Sequence, residues 1–172
     1  MDNIHFQIEN GVLIGASGRE TAQEITIPEG VHTIGTNCFR NVELPERVIL
    51  PNSVREIGLM AFARQKYLKR VILPANITKI GACAFFGCSA LESLNLSGSV
   101  TYIGQDAFRG CKKLSNVVLP SRITHIGANA HLYCKNLSHV FVPDGVTEIE
   151  PYAFANCESL RSITLPDSVT PI

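Results

Sequence analysis

A chain of 172 residues fits one domain by length, and with 45% hydrophobic and 17% charged residues it carries little charge for its size. Its 15 basic and 15 acidic side chains cancel, so no long-range field gathers phosphates, which argues against a nucleic-acid partner and against a basic membrane-surface role. No run of about 18 apolar residues occurs, so no membrane insertion is expected.

The chain begins Met1-Asp2-Asn3-Ile4-His5, with no basic stretch leading into an apolar run, so no signal peptide is expected within it. A cytosolic location and a trimmed export signal both stay open. The next segment, Phe6 to Leu13, alternates apolar residues around Asn10-Gly11, a strong hairpin signal.

From residue 25 onward one period governs the chain. Prolines stand at 28, 51, 74, 120, 143 and 166, separated by 23, 23, 46, 23 and 23 residues, with Ser97 where a proline is due. Ile34, Ile57, Ile80, Ile103, Ile126 and Ile149 keep the same beat, and glycine follows each except the last, where Glu150 stands. Phe39, Phe62, Phe85, Phe108 and Phe154 form a third column, broken by His131. Cys88, Cys111, Cys134 and Cys157 form a fourth, with Val42 and Gln65 in its two earlier positions. Leu68, Leu91, Leu114, Leu137 and Leu160 close the units. Columns locked to one period imply a solenoid in which neighbouring coils bury each other's apolar residues. The coils begin at 25, 48, 71, 94, 117 and 140, and a partial seventh begins at Ile163.

Within a unit, Leu91-Glu92-Ser93-Leu94-Asn95-Leu96 alternates with period 2 and predicts a short strand. Stacked coils set these strands side by side in a parallel sheet, each ended by its proline. The return segment, running through Ile-Gly and Ala-Phe to Cys, is expected to hold a second short strand and a turn of helix. The recurring Ile-Gly pairs are expected to be turns, where glycine relieves a backbone constraint.

The unit Leu73-Pro74, Ile77, Ile80-Gly81, Ala84-Phe85, Cys88 and Leu91 resembles the BspA-like class of leucine-rich repeats over residues 25–172. The resemblance implies an α/β leucine-rich-repeat solenoid with a parallel sheet on one face, short strands and helical turns on the return segments, and an N-terminal hairpin cap over residues 1–24. It further implies a secreted or cell-surface setting, protein recognition or adhesion, no catalytic residues, and no cofactor. The sequence departs from the pattern at Ser97, His131, Glu150 and Val42-Glu43-Leu44-Pro45.

Residues able to carry chemistry have structural readings beside functional ones. The cysteine ladder reads as a metal site, as a chain of disulfides or as a column of buried thiols; stacked side chains point in parallel, and buried cysteine acts as a small hydrophobe. His125, His131, Cys134 and His139 cluster in one coil, but the repeat sends them different ways: His131 and Cys134 inward, His139 to the strand face, His125 to the return segment. His131 is expected to replace phenylalanine in the core with its ring nitrogens hydrogen-bonded. Sequons at Asn76, Asn95 and Asn136 matter only for a chain secreted by a eukaryote.

Strand alternation decides which residues face out. Ile49, Ile72, Asn95, Val118 and Phe141 form the exposed row, an apolar stripe where polar residues are the norm. Arg47, Arg70, Asn116 and His139 flank it, with Arg47 and Arg70 available to acidic groups on a partner. The expectation is a protein-interaction or adhesion module using this face; the alternative is a spacer within a larger surface protein. The last coil carries no polar cap, so either the chain is one piece of a longer array or another molecule covers that coil, and self-association through residues near 150–172 is also expected.

Overall fold

The computed structural model describes residues 3–169. Strands β1 (His5–Glu9) and β2 (Val12–Ser17) form an antiparallel hairpin. Its two-residue loop has Asn10 at φ 48° and Gly11 at φ 74°, the paired positive values that let a turn follow the twist of its strands. β2 then pairs in parallel with Thr33–Ile34 of the first coil, Leu13 opposite Ile34, so the hairpin lies on the start of the stack.

Above it the coils repeat in register. Three-residue strands, from Glu24–Thr26 and Arg47–Ile49 through to Ser162–Thr164, build one parallel face. Ile25 lies opposite Val48, Val48 opposite Val71, and Val117 opposite Val140. Two-residue strands on the return segments build a second parallel set, with Ile34, Ile57, Ile80 and Ile103 in line. Both ladders thin out at the fourth coil, where only Ser93 bridges Arg70 to Asn116 on the face and no strand pairing joins Tyr102–Ile103 to His125–Ile126 among the described residues. Asn95, Ser97 and Gly98 of that coil are weak strand formers; Asn95 stands where the other coils have a β-branched residue or phenylalanine, and Ser97 where they have proline.

The second strand is present, but the helical turn is not: no helix forms among the described residues, and the architecture is a β-solenoid rather than α/β. The cause is an alternation of bonding in the turn. Ala61, Ala63 and Gln65 donate to the carbonyl three residues back, whereas Met60, Phe62 and Arg64 donate to Ala82, Ala84 and Phe86 of the next coil. Every second N–H is thus aimed along the stack. The geometry needs left-handed backbone at two positions per coil, seen at Met60, Cys83, Asp106, Asn129 and Tyr152, and again at Arg64, Gly87, Gly110, Tyr133 and Asn156. Two such residues four apart stop any right-handed helix.

The glycine column has a different reason from the one expected. Gly35, Gly58, Gly81, Gly104 and Gly127 do not sit at positive φ; a Cβ on Gly81 would meet the Gly58 carbonyl carbon at 2.8 Å, and one on Gly104 the Ala82 nitrogen at 2.5 Å. Glycine is there because the coils touch backbone to backbone.

The interior is a set of vertical stacks. Phe39, Phe62, Phe85, Phe108, His131 and Phe154 form one column with centroids 5.0 to 5.5 Å apart, stacked face upon face except for the tilted Phe39–Phe62 pair, close to the strand spacing that sets the pitch. The isoleucine and leucine columns line the same core.

Candidate binding face

The exposed side of the face sheet is built by period-2 alternation on strands too short to do anything else. Val48, Val71, Val117 and Val140 are buried, so their neighbours on either side point out. All nine residues expected on this surface lie on it. Ile49 stands beside Ile72, and Val118 beside Phe141, in parallel register. Arg47 is in line with Arg70, Asn116 with His139, and single bridges through Ser93 join the two halves. Asn95 is exposed in the gap between them.

The two halves differ in character. Around Ile49 and Ile72 runs a lattice of ion pairs between coils: Arg47 to Glu24 at 3.0 Å, Lys69 to Glu46 at 2.6 Å and Arg70 to Glu92 at 3.9 Å. Arg47 and Arg70 therefore have acidic neighbours within their own chain. Exposed pairs of this kind contribute only about 0–1 kcal/mol each. The signal was present in the sequence as charges of opposite sign 23 residues apart, Glu24 with Arg47 and Glu46 with Lys69. Ile49 is half-buried, and Ile72 is 41% exposed.

In the other half, Val118 is 73% and Phe141 61% exposed. Their flanking column is Asn116, His139 and Ser162, without lysine, arginine or carboxylate, and the His139 Nδ1 lies 3.0 Å from the Ser138 hydroxyl. Two neighbouring apolar side chains, largely in water and without an ion-pair fringe, are the most desolvation-ready part of the face.

The remaining chemistry-bearing side chains do not gather. Each column cysteine points its thiol at the carbonyl 26 residues earlier: Cys88 to Phe62 at 2.9 Å, Cys111 to Phe85 at 3.2 Å, Cys134 to Phe108 at 3.3 Å and Cys157 to His131 at 3.2 Å. Burial pushes the Cys88 thiol up to about 12, and raises those of Cys111 and Cys134 as well. Their sulfurs thus stay protonated donors. No group of three His, Cys, Asp or Glu side chains suited to a metal ion occurs among the described residues. His125 packs edge-on against Tyr102 on the return side, His139 lies on the face, and His131 with Cys134 is in the core.

One expectation is corrected. His131 does replace phenylalanine, stacked between Phe108 and Phe154 at 5.1 and 5.2 Å, but neither ring nitrogen has a hydrogen-bond partner. The column is built for hydrocarbon rings and offers no acceptor in their plane. Desolvation lowers its pKa to about 4.

Comparison with known proteins follows the same lines. The family model for the BspA type leucine rich repeat region matches in six copies, over residues 17–138 and 61–172. Among solved structures, a leucine rich repeat protein of T. pallidum is 30% identical with TM-score 0.80, covering 95% of this chain and 80% of its own. A leucine rich cell surface protein of Faecalibacterium prausnitzii is 28% identical with TM-score 0.74, covering 95% of this chain and 52% of its own. A leucine-rich repeat protein of Eubacterium ventriosum is 29% identical with TM-score 0.81, covering 94% and 44%. The chain thus spans about half the length, or less, of the latter two. No curated protein matches the chain.

Proposed function

The chain belongs to the BspA-type leucine-rich repeat family, and on that premise we propose that it is a non-catalytic protein-interaction or adhesion module that engages a protein partner through the outward face of its strand sheet. The supporting observation is the adjacent pair Val118 and Phe141, 73% and 61% exposed on a rigid parallel ladder. Large apolar groups held out in water on a preorganised sheet lose little conformational entropy on docking and gain from desolvation. Ile49, Ile72 and Asn95 extend the contact, and Arg47, Arg70, Asn116 and His139 form its polar rim. The F. prausnitzii relative is named as a cell surface protein, which favours a secreted or surface setting for this chain too.

The test compares the wild type with the Ile72→Asp/Phe141→Asp double variant and with Tyr102→Asp, a control on the return strands. A protein captured by the wild type is purified and titrated against all three by calorimetry. Loss of binding in the double variant alone supports the face. Equal binding by all three, or no specific capture, leaves the spacer alternative in possession.

Self-association is a subsidiary part of the same proposal. Ile163 and Leu165 of the last coil are 39% and 53% exposed, and Phe154 and Leu160 are half-buried; residues 170–172 of the expected contact lie outside the described residues. Light scattering at rising concentration decides it, a strict monomer counting against it.

A further inference from the structure

The seam between the first two coils is open on the turn side. Every later junction carries three backbone bonds across it: Met60, Phe62 and Arg64 to the third coil, Cys83, Phe85 and Gly87 to the fourth, and so on to Asn129, His131 and Tyr133. At the first junction Asn37 donates to Leu59 at 3.0 Å, and the counterpart bonds from Phe39 and Asn41 are missing among the described residues. Asn41 is absent from the left-handed column in which Arg64, Gly87, Gly110, Tyr133 and Asn156 stand. The chain instead turns in through Val42 and buries Leu44, one residue ahead of the leucine column, where Pro45 now stands. This is the segment that departs from the repeat.

The two turn segments leave a cleft of about 570 Å³ between them, within the size range of small-ligand sites. Its floor is fixed. The Gln65 amide donates to the Phe39 and Val42 carbonyls, both at 3.0 Å, and accepts from the Leu44 N–H at 2.9 Å. Around the rim stand Arg40, Arg64 and Lys66 against one carboxylate, Glu43. None of the three cations has a carboxylate within 4 Å among the described residues, so each is available to an anion. Tyr67 closes one side, the residue 55% exposed and the Lys66 Nζ 5.9 Å from its ring centroid.

We propose that this cleft is a binding site for an acidic oligosaccharide. Arg40 and Arg64 pair its carboxylate or sulfate groups through planar guanidinium forks, Lys66 adds a point charge, and the Tyr67 ring receives the partly positive C–H face of a sugar on its negative π face. Three cations focused by a concave wall attract an anion even on a chain of zero net charge. The walls are turn segments, 37–43 and 60–67, which offer an extended peptide no strand edge to join. The site is separate from the strand face.

Calorimetric titration of the whole chain tests it, with tri-galacturonic acid as the carboxylate probe, a heparin-derived hexasaccharide as the sulfate probe, maltotriose as the neutral control and a tetra-glutamate peptide as the acidic non-sugar. Binding of at least one acidic saccharide is expected, weakened at least tenfold by Arg64→Glu and by Tyr67→Ala, and unchanged by Phe141→Asp or by Lys79→Glu on the return strands. Which acidic probe binds more tightly tells carboxylate from sulfate recognition. No binding of either, undiminished binding by Arg64→Glu, or equal binding of the glutamate peptide overturns the proposal. Circular dichroism of the exposed-site variants verifies that they remain folded.

Discussion

The side-chain amide of Gln65 donates to the carbonyl of Phe39, 26 residues earlier, making the bond that a cysteine thiol makes in each of the four later coils. Gln65 also serves Val42 and Leu44, so one residue stitches the irregular first coil to the second. Orphaning buried backbone groups costs about 1–3 kcal/mol each. Gln65→Ala, which orphans three, is expected to lower unfolding free energy by about 3 kcal/mol or more in urea titrations. Gln65→Cys should recover part of that loss by restoring the Phe39 bond. Equal stability of wild type and alanine variant would contradict the stitch.

Gly81 and Gly98 make a matched pair for the glycine column. A methyl at Gly81 meets backbone atoms at 2.8 to 3.0 Å, whereas one at Gly98 meets nothing within 4 Å. Gly81→Ala forces two coils apart and should cost about 1–3 kcal/mol. Gly98→Ala should be neutral or stabilising by up to about 1 kcal/mol, because it only restricts the unfolded chain. Thermal unfolding of the two variants, side by side, checks both signs.

Phe85 and Phe108 are buried and stack on each other at 5.5 Å. Truncating either to alanine leaves a void that the rigid ladders cannot close, at a cost of about 3–5 kcal/mol. A loss near zero would mean the stack is not what holds neighbouring coils together.

His131 gives the molecule a pH dependence of definite sign. Its folded pKa of about 4 lies below the 6.5 of an unperturbed histidine. Between those values the unfolded chain binds a proton that the buried ring refuses. Stability is therefore insensitive to this group above about pH 6.5 and falls as pH drops toward 4, by about 3 kcal/mol in all. His131→Phe removes that component and relieves two unpaired ring nitrogens, so it should stabilise at every pH and most at the acidic end. The measurement is the difference in unfolding free energy between variant and wild type at pH 7 and pH 4.5. A difference that does not widen with acidity would refute the assignment.

The outward row Ile49, Ile72, Asn95, Val118 and Phe141 was legible because period-2 alternation leaves a side chain only two choices, and the buried Val48, Val71, Leu94, Val117 and Val140 took the other. The pairing of Arg47 with Glu24 was legible as opposite charges one period apart, whereas that of Arg70 with Glu92 was hidden because it joins residues out of step with the 23-residue period. The unpartnered nitrogens of His131 were hidden as well, since the sequence names the column but not the acceptors around it. The cleft beside Arg64 was signalled only as a break in the pattern at Val42 to Pro45.

The amino-acid sequence by itself determined the 23-residue pitch, the isoleucine, phenylalanine, cysteine and leucine columns and the side of the strand that faces water, since a strict period turns each repeated letter into a vertical stack. Tertiary structure alone decided that the return turn is not helical, that the glycines serve close contact between coils and that the first seam stands open. Those outcomes depend on where a neighbouring coil's carbonyls lie, and only stacking brings them within hydrogen-bonding distance.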